Sequence, residues 1–128
     1  MGTTVRVDGR GGDGMNDCIF CKIGRKEIPA KVAYEDRQVV AFEDLHPQAP
    51  HHTLIIPKAH FATFNDIGAQ EESLLGHMMV VASRVAQEKG LDKSGFRLVA
   101  NCLESAGQSV FHIHLHLLGG RTFSWPPG

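Results

Sequence analysis

The chain has 128 residues and a formal net charge of −1, with 42% hydrophobic and 21% charged residues. This length and apolar content predict one domain with a packed core and exclude a disordered chain. The balanced charge argues against binding of nucleic acid polymers, which requires a basic face. Every apolar run falls short of the ~18 residues that a membrane span needs, so no membrane partner is expected.

The N-terminal residues 1–17 are rich in Gly and Asp, and we expect a flexible leader there, followed by a single domain over residues 18–128. The leader lacks the apolar core of a secretory signal. Three cysteines, an odd number, then favour a reducing compartment. We therefore expect no structural disulfide, and a location in the cytoplasm or the nucleus.

The first half of the domain is predicted to contain one short helix and three strands. The helix covers residues 18–25, places Ile19, Phe20 and Ile23 on one side, and is followed by Pro29. β-branched and aromatic residues mark the strands, which are expected at residues 31–35, 38–43 and 53–56.

The second half is predicted to contain one long helix and two strands. Residues 69–89 form the helix, because apolar residues recur there at i, i+3 and i+4, and Gly90 is placed to end it. Strands are expected at residues 96–101 and 110–118, followed by an extended tail. The first three strands are joined too closely for parallel crossovers, so the sequence predicts an α+β fold with a mainly antiparallel sheet.

Three histidines, His112, His114 and His116, alternate with apolar residues in the last predicted strand. Alternation places the three imidazoles on one face and the apolar side chains in the core. In an extended strand the first and third Cα atoms lie about 13 Å apart, so the three rings cannot easily bind one metal ion. We therefore expect them to divide several roles.

The residues before this strand fit an anion site. Gly107, Gln108 and Ser109 offer a flexible backbone, an amide and a hydroxyl, all of which can donate hydrogen bonds to phosphate oxygens. Imidazole has a reference pKa of ~6.5 and is largely neutral and nucleophilic at pH 7. A histidine nucleophile beside phosphate donors predicts phosphoryl or nucleotidyl transfer through a phosphoramidate-type intermediate.

Cys18 and Cys21 form a Cys-x-x-Cys pair. The pair alone is compatible with metal binding, with redox chemistry, or with two buried thiols in a helix. No second pair follows it, although the chain has enough histidines to complete the four ligands of a zinc ion.

The run His-Ile-His-Leu-His-Leu-Leu at residues 112–118 resembles the motif of the histidine triad (HIT) family, and further segments resemble its nucleotide-binding branch. These segments are Ile19-Phe20, residues 26–31 (KEIPAK), 47–50 (PQAP), 56–58 (IPK), 72–77 (ESLLGH), 107–110 (GQSV) and 125–128 (WPPG). The resemblance covers nearly all of residues 18–128.

The resemblance implies a five-stranded antiparallel sheet with one long and one short helix, and a homodimer whose two sheets join into one of ten strands. It implies a purine nucleoside phosphoramidase that binds purine nucleotides such as AMP and GMP. Such an enzyme hydrolyses adenosine 5′-monophosphoramidate to AMP and an amine through a nucleotidyl-histidine. The alternatives are a dinucleoside polyphosphate hydrolase, against which the Trp-Pro-Pro-Gly tail speaks, and a nucleotide-binding regulatory or scaffold protein with its own protein partners.

The resemblance also assigns the site. His114 would be the nucleophile and His116 a phosphate contact, and the full catalytic set is His114, His116, His112, His52 and Ser109. The nucleotide-binding set is Ile19, Phe20, Phe42, Asp44, Leu45, Asn101, Gly107, Gln108, Ser109, His114, His116 and Trp125, with Trp125 reaching the partner subunit. Catalysis would need no cofactor. A structural zinc ion would be held by Cys18, Cys21, His60 and His112, while His46, His51 and His77 receive no role.

Overall fold

An antiparallel sheet forms the centre of the computed structural model, which describes residues 17–128; the predicted leader, apart from Asp17, lies outside the described residues. Its strands are β1 (Val32–Glu35), β2 (Val39–Glu43), β3 (His51–Pro57), β4 (Phe96–Ala100) and β5 (Leu115–Gly119). They are arranged in the order β1-β2-β3-β5-β4, and each neighbouring pair is antiparallel. The predicted α+β fold with an antiparallel sheet is therefore confirmed.

Three α-helices accompany the sheet in the described part of the chain: α1 (Ile19–Gly24), α2 (Glu72–Glu88) and α3 (Leu91–Ser94). The long helix begins three residues later than predicted, because Ala69–Glu71 forms a 3₁₀ turn ahead of it. Gly90 follows its last turn at φ +76°, a left-handed conformation that glycine adopts at low cost. The sequence did not predict α3, since Gly90 was expected to end the helical segment altogether. In the range 17–128, none of the helices combines the length and apolarity required to cross a bilayer.

Both faces of the central strands are buried. One face of β2 and β3 packs against α2 through Val39, Ala41 and Ile55. The opposite face, with Val40, Phe42 and Leu54, packs against Phe20 and Ile23 of α1. The short helix α1 therefore covers the sheet face opposite to the long helix.

The short helix differs from the prediction in its buried side. Phe20, Cys21 and Ile23 are buried, whereas Ile19 is 46% exposed. Successive helical residues point about 100° apart, so Ile19 cannot share the direction of both Phe20 and Ile23. The expectation that all three apolar side chains lie on one side was wrong for Ile19.

The last strand begins at Leu115 and not at residue 110 as predicted. Leu115 pairs with Ile55, and continuing this register would bring Ile113 opposite Pro57, which has no N–H to donate. The Ile113 N–H instead donates to the Phe61 carbonyl at 2.8 Å. The chain thus leaves the sheet before β5, and His112 and His114 stand ahead of the strand that carries His116.

Candidate active site

His114 is buried beside α1, and its orientation follows from one hydrogen bond. Its Nδ1 lies 2.8 Å from the His112 carbonyl oxygen, and because a carbonyl only accepts, Nδ1 carries the proton and donates. The Nε2 atom therefore holds the lone pair. The edge of the Phe20 ring packs against the imidazole with centroids 5.2 Å apart. Burial lowers the pKa of His114, so the ring is neutral and nucleophilic at pH 7.

His116 and His52 form a pair whose tautomers the backbone determines. The Gln48 N–H donates to Nδ1 of His52 at 3.0 Å, so the proton of neutral His52 is on Nε2. That Nε2 donates to Nδ1 of His116 at 2.9 Å, so the proton of neutral His116 is on its own Nε2. His116 is thus a neutral imidazole with one N–H to donate, 4.9 Å from the His114 ring between centroids.

Both members of this pair are kept neutral by their surroundings. Burial lowers the pKa of His52. Burial, together with repulsion from His114 and His52, lowers the pKa of His116 to about 4. At neutral pH the site therefore contains three uncharged imidazoles, of which His114 offers a lone pair and His116 offers a proton donor.

Asp44 lies at the edge of the histidine pair. Its Oδ1 accepts from the His46 N–H at 2.8 Å, and its Oδ2 lies 3.4 Å from Nε2 of His52. Ligand atoms of Asp44, His52 and His116 lie within 4.8 Å of one another. This group does not suit a metal ion, because the Gln48 N–H occupies the lone pair on Nδ1 of His52 and Nε2 carries its proton.

A second group, formed by Cys18, Cys21, His60 and His112, has the composition of a zinc site. The His112 Nε2 donates to the Pro57 carbonyl at 2.7 Å, so its Nδ1 carries a lone pair. This Nδ1 lies 3.3 Å from the Cys18 Sγ, 3.5 Å from the Cys21 Sγ and 3.2 Å from Nδ1 of His60. Zn–N bonds of ~2.0–2.1 Å in a tetrahedron place two nitrogens roughly 3.3 Å apart, so the four donors fit a zinc ion.

The two thiols differ in acidity, which also favours a cation. A hydrogen bond from the Cys21 thiol, with contacts to His112 and His60, lowers the pKa of Cys18 to about 2. The pKa of Cys21 is raised, because its thiol donates to Cys18 and is desolvated. A bound metal ion would replace the proton that the two sulfurs share, and both would then act as thiolate ligands.

Gln108 is buried, and its side chain is fully engaged inside the chain. Its Oε1 accepts from the Leu103 N–H at 2.7 Å, and its Nε2 donates to the carbonyls of Ala62 and Val110. Its backbone N–H donates to the Leu103 carbonyl as well. The structure therefore leaves no polar hydrogen of Gln108 for a nucleotide; it gives this residue the role of holding the loop before His112.

The remaining sites assigned by resemblance fall into an inner and an outer set. Phe20 and Phe42 are buried and pack edge to face with centroids 5.5 Å apart, and Asn101 is half-buried. Ile19, Leu45, Gly107, Ser109 and Trp125 are exposed, with Leu45 and Trp125 at 90% and 82%. The structure thus packs Phe20 against His112 and His114 and Phe42 behind Phe20, while the exposed set faces outwards.

The side chains of the histidines without an assigned role, His46, His51 and His77, belong to neither group. His46 is exposed, and His77 of α2 pairs with Asp36 in the β1–β2 turn, with 2.6 Å between Nε2 and Oδ2. Sequence reasoning missed the backbone groups of the site, namely the Gln48 N–H and the carbonyls of Pro57 and His112. Every residue carries such groups, so no sequence signal could have identified them.

Fold and site together define an α+β protein in which a buried neutral imidazole with a free Nε2 lone pair lies beside a second imidazole that can donate from Nε2. The HIT domain profile matches residues 25–123. An uncharacterized HIT-like protein from Synechocystis sp. is 50% identical over 112 residues, 88% of this chain and 97% of the relative. A purine nucleoside phosphoramidase from Escherichia coli (strain K12) is 49% identical over 105 residues, 82% of this chain and 88% of the relative.

Solved structures agree. A HIT family hydrolase from Legionella pneumophila superposes with a TM-score of 0.85 at 53% identity, covering 87% of this chain and 99% of that one. A histidine triad nucleotide-binding protein from Candida albicans gives a TM-score of 0.74 at 32% identity, with 85% and 82% covered. The chain belongs to the HIT family.

Proposed function

We propose that the chain is a purine nucleoside phosphoramidase that hydrolyses adenosine 5′-monophosphoramidate-type substrates to AMP and an amine. The observation that carries this proposal is the hydrogen bond from Nδ1 of His114 to the His112 carbonyl, which directs the lone pair of a buried neutral imidazole away from the backbone. The relationship to the phosphoramidase from Escherichia coli supports the choice of substrate.

The reaction proceeds in two displacements. The His114 Nε2 attacks the α-phosphorus, a P–N bond forms to the ring, and the P–N bond to the leaving amine breaks as the amine takes a proton from water. The His116 N–H stabilises the charge that develops on a phosphate oxygen. Ser109, which is exposed and follows Gln108, would be a second donor to the phosphate. In the second displacement water attacks the phosphorus, the P–N bond to His114 breaks, and AMP is released while the proton of the water passes to solvent.

The nucleotide is proposed to bind across α1 and the end of β2. Asp44 accepts from the ribose hydroxyls through Oδ2, and Ile19, Phe20, Phe42 and Leu45 surround the base. Asn101 and Gly107 contact phosphate and ribose. The exposure of Ile19 and Leu45 supports this proposal, because isolated apolar side chains at a site edge provide the contact area that a planar base would cover.

The test is a comparison of substrates with the wild type, His114→Asn and His46→Asn. We expect turnover of an adenosine phosphoramidate by the wild type and by His46→Asn, whose side chain is exposed, and none by His114→Asn, which still binds AMP in calorimetry. A guanosine phosphoramidate tests base preference. Faster hydrolysis of a dinucleoside polyphosphate, or wild-type turnover by His114→Asn, would contradict the proposal.

We also propose a structural zinc ion on Cys18, Cys21, His60 and His112. Bound zinc would tie α1 to the segments at His60 and His112 and so stabilise the fold; the displacement steps at His114 need no metal. Element analysis after gentle purification is expected to give one zinc per chain.

A homodimer is the proposed assembly, in which β4 pairs with its copy so that the two five-stranded sheets join into one sheet of ten strands. β4 lies at one edge of the sheet, so its outer N–H and C=O groups have no strand partner within residues 17–128. Phe96 on β4 and Met79 and Val80 on α2 are exposed apolar residues. Trp125 is proposed to reach the partner's site.

Analytical ultracentrifugation of Val80→Glu tests this assembly, with Arg37→Glu at the opposite edge of the sheet as the control. We expect the dimer to dissociate only in Val80→Glu.

We also propose a location in the reducing cytoplasm, since the free thiols of Cys18 and Cys21 in the proposed zinc site require a reducing environment.

A further inference from the structure

A corner formed by Gly120 and Arg121 follows β5 directly and clamps the loop that precedes β3. The Arg121 Nε donates to the Gln48 carbonyl at 3.1 Å, and its Nη1 donates to the Thr122 carbonyl at 3.1 Å. The guanidinium also lies 4.2 Å from the centroid of the Phe123 ring. Arg121 is thus held by stacking and by its own chain in the orientation that reaches Gln48.

Gly120 makes the second half of the clamp. It has φ +93°, and a Cβ built on it would lie 2.9 Å from the Pro50 Cβ and 3.2 Å from the His51 Cδ2. The loop therefore lies directly against the backbone of this residue. A side chain at position 120 would both strain the backbone and push the loop away.

Gln48 is the link between this corner and the active site. Its carbonyl accepts from Arg121, while its N–H donates to Nδ1 of His52. We propose that Arg121 is a positioning residue: by fixing Gln48, it maintains the hydrogen bond that holds His52, and through it His116, in the tautomers with the proton on Nε2. The catalytic consequence of this rests on the proposed function.

The tautomer of His52 matters because it determines whether Nε2 of His116 carries a proton that can be donated to a phosphate oxygen. If the Gln48 N–H withdraws, only the longer 3.4 Å contact between Nε2 and the Asp44 Oδ2 still favours a proton on Nε2. His52 can then exchange to the tautomer that carries its proton on Nδ1 and presents a lone pair on Nε2 to His116. His116 would then donate from Nδ1, since two lone pairs at 2.9 Å repel each other. Its Nε2 would be left without the proton that stabilises a phosphate oxygen.

The chain contains a matched control for Arg121. Arg97 of β4 also stacks on Phe123, with 5.1 Å to the ring centroid, and its Nη2 donates to the Ser124 carbonyl at 2.9 Å. Both of these contacts are with the tail, whereas the Gln48 carbonyl accepts from Arg121. Arg97→Ala therefore loosens the same tail while it leaves the loop clamp in place, and Arg121 is exposed, so both variants should fold.

The experiment measures ¹⁵N chemical shifts of the imidazole nitrogens in the full chain, with no substrate needed. In the wild type and in Arg97→Ala we expect His52 and His116 each in a single tautomer protonated on Nε2. In Arg121→Ala we expect averaged shifts for both rings. The phosphoramidase kcat should fall by about three- to tenfold with little change in KM, as for the loss of one ordinary hydrogen bond.

Wild-type imidazole shifts in Arg121→Ala would overturn the inference, and so would equal changes in Arg97→Ala. Altered shifts in Arg121→Ala, in a chain whose wild type has no phosphoramidase activity, would refute the proposed function and support the positioning role. The two proposals therefore fail separately.

Discussion

The low pKa of His116 predicts that acid destabilises the fold by a measurable amount. Its pKa falls from the ordinary 6.5 to about 4 on folding, so between these values the unfolded chain binds a proton that the folded chain does not. Stability is thus complete above pH 6.5 and is lost as the pH falls towards 4. The full difference corresponds to about 3 kcal/mol at ~1.36 kcal/mol per pKa unit. Because part of the ring is reached by solvent, we halve this to about 1.5 kcal/mol.

The assay is urea unfolding, followed by circular dichroism, in buffers of about pH 7.5, 6.5, 5.5 and 4.5. His116→Asn keeps an acceptor for Nε2 of His52 but cannot titrate. Between the highest and the lowest pH, the wild type should lose about 1.5 kcal/mol more than this variant. His46→Asn, which removes an exposed imidazole, should follow the wild type. Parallel curves for wild type and His116→Asn would refute the reasoning.

Three further predictions concern metal, core and backbone. Cys21→Ser should reduce bound zinc below one per chain in element analysis and lower the melting temperature; unchanged zinc content would contradict the ligand set. Phe20→Ala removes a buried ring and should cost about 3–5 kcal/mol in urea unfolding, whereas an effect near zero would show that α1 contributes little to the core. Gly119→Ala places a Cβ 2.6 Å from the buried Leu91 Cδ1 and should destabilise the fold by about 1–3 kcal/mol. Gly76→Ala has open space around it in α2 and should stabilise the fold slightly, because alanine has the higher helix propensity. Thermal unfolding of both variants checks the contrast.

Where periodicity dominates, the sequence predicted the fold well. The apolar repeat of α2 and the stop at Gly90 are local signals, and short connections were enough to indicate antiparallel pairing. The start of β5 was not predictable in this way, because alternation at His112 and His114 looks the same whether or not a neighbouring strand can pair. Pro57, distant in sequence, decides that question by lacking an N–H.

Candidate site residues were predictable to the extent that side-chain chemistry identifies them. The Cys18 and His112 groups meet as the resemblance implied, with 3.3 Å between Sγ and Nδ1. Strand dimensions indicated only that the three triad histidines divide several roles, whereas the role expected of each came from the resemblance. The exposed Leu45 and the fully engaged Gln108 were not foreseen, because solvent exposure and hydrogen-bond saturation depend on the packed loop and not on residue type.

His112 combines two functions in one residue, and this affects how mutational data on the triad can be interpreted. Its side chain belongs to the proposed zinc site, with 3.3 Å between its Nδ1 and the Cys18 Sγ, while its carbonyl orients His114, the proposed nucleophile. Substitution removes the first and leaves the second in place. Loss of activity in a His112 variant would therefore show that the scaffold no longer holds the 112 carbonyl in place. A genetic screen would wrongly classify such a variant as one that lacks a catalytic group.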